Sequence, residues 1–244
     1  MRGRPGRRIL VKGFALAALG AGLVWGVSLP MSTHQGVNFR VSTQQIPFYV
    51  KALDFLHRHY QYERLARDIT GGLTSDRERV QAVFQWTRTH IQPTPPGWTV
   101  VDDHILNIII RGHGLSDQMA DVFTTLSTYA GVPAFWYMLH SPDTGASLIL
   151  SFAHVDGRWM PCDVQQGIVF ADPTGRWADV TELLTHPALL QEVAAAAAPD
   201  GTPYWRFFEQ LRPFTVPQPL RAQQQMPWPR LWSSVRQVAG GGHR

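Results

Sequence analysis

Ser116 is the residue whose surroundings most invite chemistry. It follows a glycine-rich turn, Arg111-Gly112-His113-Gly114, and opens a segment whose apolar residues recur at helical spacing. A serine hydroxyl is a weak nucleophile unless a base stands beside it. His113, three positions upstream, is the nearest imidazole in sequence, so a Ser116–His113 dyad is one arrangement. Capping the following helix is the other, since serine is favoured at that position. Cys162 is the only cysteine, which excludes an intramolecular disulfide and thiolate-rich metal sites. A lone thiol in an exported chain is expected to be buried. Ten histidines are present, but His57 and His59 are two apart on a helix, and His104 and His113 fall in loops. None has ligand spacing, so no metal site and no cofactor is expected.

Asp163 is placed by a hairpin. Asp156-Gly157 is a two-residue turn signal, which pairs Val155 with Arg158 and makes paired residue numbers sum to 313. Asp163 then stands opposite Leu150, with Leu148 its diagonal neighbour on the same face, roughly 7–8 Å away. Cys162 alternates to the other face. His154 shares the face of Leu148 but lies six residues on, roughly 20 Å along the strand.

Other elements must hold these positions. The spacing predicts a helix from Ile46 to about Thr70, with Tyr49, Leu53, Leu56, Tyr60 and Leu65 near helical spacing. Ser75 and Glu78 form an S-x-x-E capping box opening a second helix, with Val80, Val83, Phe84 and Ile91 on its apolar face. A third helix is predicted over 116–130, with Met119, Val122, Phe123, Leu126 and Ala130 buried, stopped by Gly131 and Pro133. Strands are predicted over 134–139, 146–154, 158–163 and 167–170, then helices over 180–184, 187–198 and 204–211. Helices followed by an antiparallel meander make an α+β chain.

The stretch from RGHGLSDQMADVFTTLSTYAGVPAFWYML to SLILSFAHVDGRWMPCDVQQGIVF resembles the transglutaminase-like (papain-like) superfamily, bacterial type, over roughly residues 76–175. The GxGxxDQ turn, the AGVPA exit, the DGRW hairpin and the trailing aspartate stand in the family's order. The resemblance implies a core of helices packed on an antiparallel sheet. It also implies a cysteine at a helix N-terminus, where the dipole favours thiolate, with a histidine base and an orienting aspartate. On this chain the cysteine position is Ser116, the histidine position Leu148 and the aspartate position Asp163. Nucleophile and base are thus substituted, and the resemblance implies a catalytically inactive module. A peptide, a glycan or an envelope protein in the degenerate cleft is the implied partner. Two alternatives stay open: a hydrolase or acyltransferase using Ser116 with a rearranged base such as His113, and a structural subunit of a membrane complex.

Charge and hydropathy place the chain. The formal net charge is +4, but Arg2, Arg4, Arg7, Arg8 and Lys12 supply five of the 22 basic residues. The remaining 17 face 18 acidic residues, a balance of −1, so the body has no electrostatic footprint for nucleic acid. After Lys12 comes an uncharged apolar run, Gly13 to Leu29, at the lower limit for crossing a bilayer. An uncleaved anchor, a cleaved export signal with twin-arginine character at Arg7-Arg8, and a buried core helix are the three readings. The first two put the domain on the non-cytoplasmic side of the inner or plasma membrane. The chain then divides into an anchor or signal (1–30), a polar linker (31–45), a transglutaminase-like domain with flanking helices (46–215), and a tail rich in Pro, Gln and Trp (216–244) expected outside the core.

Overall fold

The computed structural model describes residues 28–230, apart from 103, 142, 172–174, 186–197 and 199–200, together with positions 18, 20, 22, 24–26 and 232. Most of the predicted anchor and the helix predicted over 187–198 lie outside the described residues. Among the described residues no helix is long and apolar enough to cross a membrane.

The chain opens with a hairpin of β1 (Pro30–Val37) and β2 (Arg40–Pro47). This corrects the linker expected over 31–45. The turn, Asn38-Phe39, takes positive φ at both residues (47° and 63°) without a glycine, so no hairpin signal was present. The strands are polar and largely exposed on both faces, which removes the alternation that marks a half-buried strand. Asn38 ties the turn to Val100 through its backbone N–H (2.7 Å), and its Oδ1 accepts from Val100 N (2.9 Å).

Helix α1 (Phe48–Thr70) buries Arg58, Tyr62 and Ala66, with Leu65 and Ile69 packed beside them. Of the residues at helical spacing, Tyr49, Leu53, Leu56 and Tyr60 are exposed. Helix α2 (Asp76–His90) starts at the predicted box, in which Ser75 Oγ accepts from Glu78 N and Glu78 Oε2 accepts from Ser75 N, both at 3.2 Å. A parallel pair of two-residue strands, β3 (Gln92–Pro93) and β5 (His113–Gly114), brackets β4 (Val101–Asp102) and the short helix α3 (Ile105–Arg111). β4 pairs with β1.

Helix α4 (Ser116–Tyr129) is the central element; Met119, Val122, Phe123 and Leu126 are all buried, as the stripe predicted. It packs on a four-stranded antiparallel sheet of β6 (Ala134–His140), β7 (Ser147–Val155), β8 (Arg158–Asp163) and β9 (Ile168–Val169). Val155 pairs with Arg158 and Ser151 with Cys162, the register expected from the turn. Asp156 and Gly157 both have positive φ, as a tight two-residue hairpin requires.

The sheet separates two apolar layers. On one side Ala153, Val155, Met160 and Cys162 meet the α4 stripe and residues of α1 and α2. On the other, Leu148, Leu150 and Phe152 meet Tyr204, Phe207, Phe208, Leu211 and Leu220. The second layer comes from α6 (Trp205–Phe208), which follows α5 (Val180–Thr185), and from the irregular chain beyond it. That chain corrects a second expectation, since part of the 216–244 tail belongs to the core. Leu220 and Ala222 are buried, and the Gln225 carbonyl accepts from Tyr129 OH at 2.8 Å. Proline-rich segments carry no periodicity, so burial through irregular backbone leaves no pattern to read.

Candidate functional site

Ser116 is the first helical residue of α4, and Leu115 occupies the cap position. The capping role expected for Ser116 is therefore not the one it fills. The backbone N–H of Leu115 is satisfied by Gln118 Oε1 (3.1 Å), a side chain reaching back from the first turn. Gln118 also donates to the Val101 carbonyl (2.7 Å) and accepts from Arg111 Nη2 (3.0 Å). Arg111 in turn donates to the carbonyls of Val101 and His113, both at 2.9 Å. Gln118 and Arg111 thus clamp the glycine-rich turn against β4. Gly114 is required there by space: a Cβ would stand 3.0 Å from Gln118 Cβ and 3.2 Å from Ile108 Cγ2.

His113 is turned to another task. Its Nδ1 shares a hydrogen bond with Thr94 Oγ1 (3.3 Å), and its ring lies edge-on to Trp98, centroids 5.2 Å apart. Among the described residues Ser116 Oγ has no hydrogen bond to an imidazole.

Leu148 and Asp163 look into the second apolar layer. Leu148 is 3% exposed and packs with Phe135, Leu139, Leu150 and Tyr204. Asp163, also 3% exposed, accepts from Tyr204 OH (2.5 Å) and from the Gln166 backbone (2.9 Å). Burial raises the Asp163 carboxyl above its ordinary value, against the opposing pull of those hydrogen bonds and of Arg88. Arg88 reaches this corner because Gly167 has no side chain; a Cβ there would overlap its guanidinium. Burial and the neighbouring Asp163 likewise raise the Tyr204 hydroxyl, so it stays a donor. Cys162 faces the first layer, buried, and burial pushes its thiol well up.

Sequence reasoning missed a buried carboxylate on α4. Asp121 accepts from Trp136 Nε1 (2.6 Å) and pairs with Arg221 (2.8 Å), whose guanidinium lies over the Trp136 ring at 5.6 Å. An aspartate inside an otherwise apolar stripe was the available signal. Tyr204 had none. Among the described residues no three His, Cys, Asp or Glu side chains stand close enough to hold a metal ion.

Residues 63–164 match the family model described as the transglutaminase-like superfamily, an interval that includes both Ser116 and Asp163. No curated protein matches the chain. Among solved structures, similarity extends to a candidate cysteine protease from Cytophaga hutchinsonii, with 14% identity over 45% of this chain and 38% of that one, TM-score 0.39. A candidate protease from Parabacteroides distasonis has 14% identity over 55% and 35% of the two chains, TM-score 0.35. A structure described as a TGase has 10% identity over 70% and 50%, TM-score 0.34. The chain thus spans between about a third and a half of the length of these proteins. With its central helix and its antiparallel sheet, the stretch 63–164 is thus similar to the transglutaminase-like superfamily.

Proposed function

We propose that this chain is a membrane-associated, catalytically inactive transglutaminase-like module that acts by binding or assembly at the cell envelope. The observation that carries the reading is the filling of the base position. Leu148 is packed among Phe135, Leu150 and Tyr204, and the carboxylate that would orient an imidazole is held by Tyr204 instead. A serine at position 116 without a hydrogen-bonded imidazole lacks the base that would make it a nucleophile. The partner that such a module would hold, a peptide, a glycan or an envelope protein, rests on analogy of fold. The apolar run Gly13–Leu29, preceded by five basic residues, supports a domain held outside the cytoplasm.

The test is a fluorophosphonate probe on the purified chain, read by mass spectrometry, beside an assay for ester and amide hydrolysis. The expected result is no adduct at Ser116 and no turnover above that of Ser116→Ala. An adduct at Ser116, with turnover that Ser116→Ala abolishes, would overturn the proposal in favour of an active hydrolase.

A further inference from the structure

The exposed side of α1 changes character along its length. Over its first half Tyr49, Leu53, Leu56 and Tyr60 stand at spacings of four, three and four, and they are 47%, 62%, 51% and 56% exposed. Such spacing lays them in one stripe. Over the second half the exposed residues are Glu63, Arg64, Arg67 and Asp68, joined as exposed i,i+4 ion pairs at 3.4 and 3.7 Å. The charges of the first half are engaged off the stripe, Lys51 donating to the Ser32 carbonyl (2.6 Å) and Asp54 pairing with the buried Arg58 (3.2 Å).

The apolar half begins where the apolar run of the sequence ends. The backbone N–H of Phe48, first residue of α1, donates to the carbonyl of Leu29, last residue of the Gly13–Leu29 run, at 2.9 Å. Whatever holds that run therefore comes within a few ångströms of the start of the stripe. Leucines in the middle of a stripe and tyrosines at its ends match the side chains that favour the boundary between headgroups and acyl chains.

We infer that the first half of α1, from Tyr49 to Tyr60, lies on the bilayer surface, with Leu53 and Leu56 entering the acyl boundary. The inference rests on the reading of Gly13–Leu29 as membrane-embedded and adds to it an orientation. At 1.5 Å per residue the stripe covers about 17 Å. Its contact holds the remaining domain, with the Ser116 turn, at a fixed attitude to the membrane rather than on a free tether.

The full chain is reconstituted in vesicles of phosphatidylcholine and phosphatidylglycerol, with and without brominated phosphatidylcholine. Bimane is attached in turn to Leu53→Cys, Leu56→Cys, Arg64→Cys and Val24→Cys; the buried Cys162 stays in place, and the parent chain sets the background. The expected result is quenching at 53 and 56 at least twofold stronger than at 64, together with quenching at 24. Quenching at 24, with 53 and 56 no more quenched than 64, overturns the surface and leaves the anchor standing. Equal absence of quenching at 24, 53 and 56 overturns both. A second copy on the same face would shield 53 and 56 from lipid and join Leu53→Cys to its counterpart by a disulfide on oxidation, which also overturns the inference.

Discussion

Tyr204 OH donates to Asp163 Oδ2 at 2.5 Å, across a distance of 41 residues in sequence and inside the layer that covers Leu148. The bond fixes the C-terminal part of the chain onto the sheet through the one carboxylate that the superfamily pattern assigns to orienting a base. It turns a position associated with chemistry into a fastening.

Tyr204→Phe leaves Asp163 with only backbone donors. The expected loss is about 1–3 kcal/mol, the cost of depriving a buried acceptor of its partner. Denaturant unfolding measures it, and the same substitution in an Asp163→Asn background should cost clearly less, since the two side chains are coupled. Equal costs in both backgrounds would mean that the bond contributes nothing specific.

Asp163 also gives stability a pH dependence of known sign. Its folded pKa is raised above the ordinary 3.8, so the folded chain holds a proton that the unfolded chain has already released. The slope of unfolding free energy with pH is then negative for this group: its contribution is full below 3.8 and declines as pH rises through the folded value. Asp163→Asn should remove that decline, visible as a difference between the two unfolding-versus-pH curves. Parallel curves would show that the carboxyl titrates alike in both states.

Restoring the superfamily's residue types should not restore chemistry. In Ser116→Cys/Leu148→His the new imidazole replaces a side chain packed in an apolar layer, and its intended partner is engaged by Tyr204. A loss of about 2–5 kcal/mol is expected from the lost packing and the buried polar group. Thioester and amide hydrolysis should stay at the level of Ser116→Cys alone. Turnover well above that level would show that Leu148 does face the position of Ser116.

Arg221→Ala should loosen the chain that follows α6. Asp121 is nearly buried while Arg221 is largely exposed, so solvent screens the pair, and about 1 kcal/mol is a reasonable scale. The sharper readout is limited proteolysis between residues 212 and 230, which should quicken in the variant. Unchanged cleavage would assign the docking of this segment to Leu220 and Ala222 alone.

The sheet and its register were legible because local chemistry fixes them: Asp156-Gly157 sets a tight turn, and everything on β7 and β8 follows by counting. Helix α4 was legible through its stripe, and α2 through Ser75 and Glu78. What fills the space around Leu148 was not legible, because Tyr204 and Leu220 arrive from segments without period or turn signal. On α1, periodicity shows which residues share a face and says nothing about whether protein or something else covers it. The β1–β2 hairpin escaped because Phe39 holds a backbone conformation that bulky residues rarely adopt.

That hairpin is a detour. It leaves at Pro30 and returns at Pro47, paired with each other, and the bond between Phe48 and Leu29 shuts the circuit at its base. Residues added to or removed from its tip would lengthen or shorten a side excursion while the chain before Leu29 and the helix after Pro47 keep their junction. The join between the apolar run and the domain is thus insulated from changes in the length of the segment that lies between them in sequence.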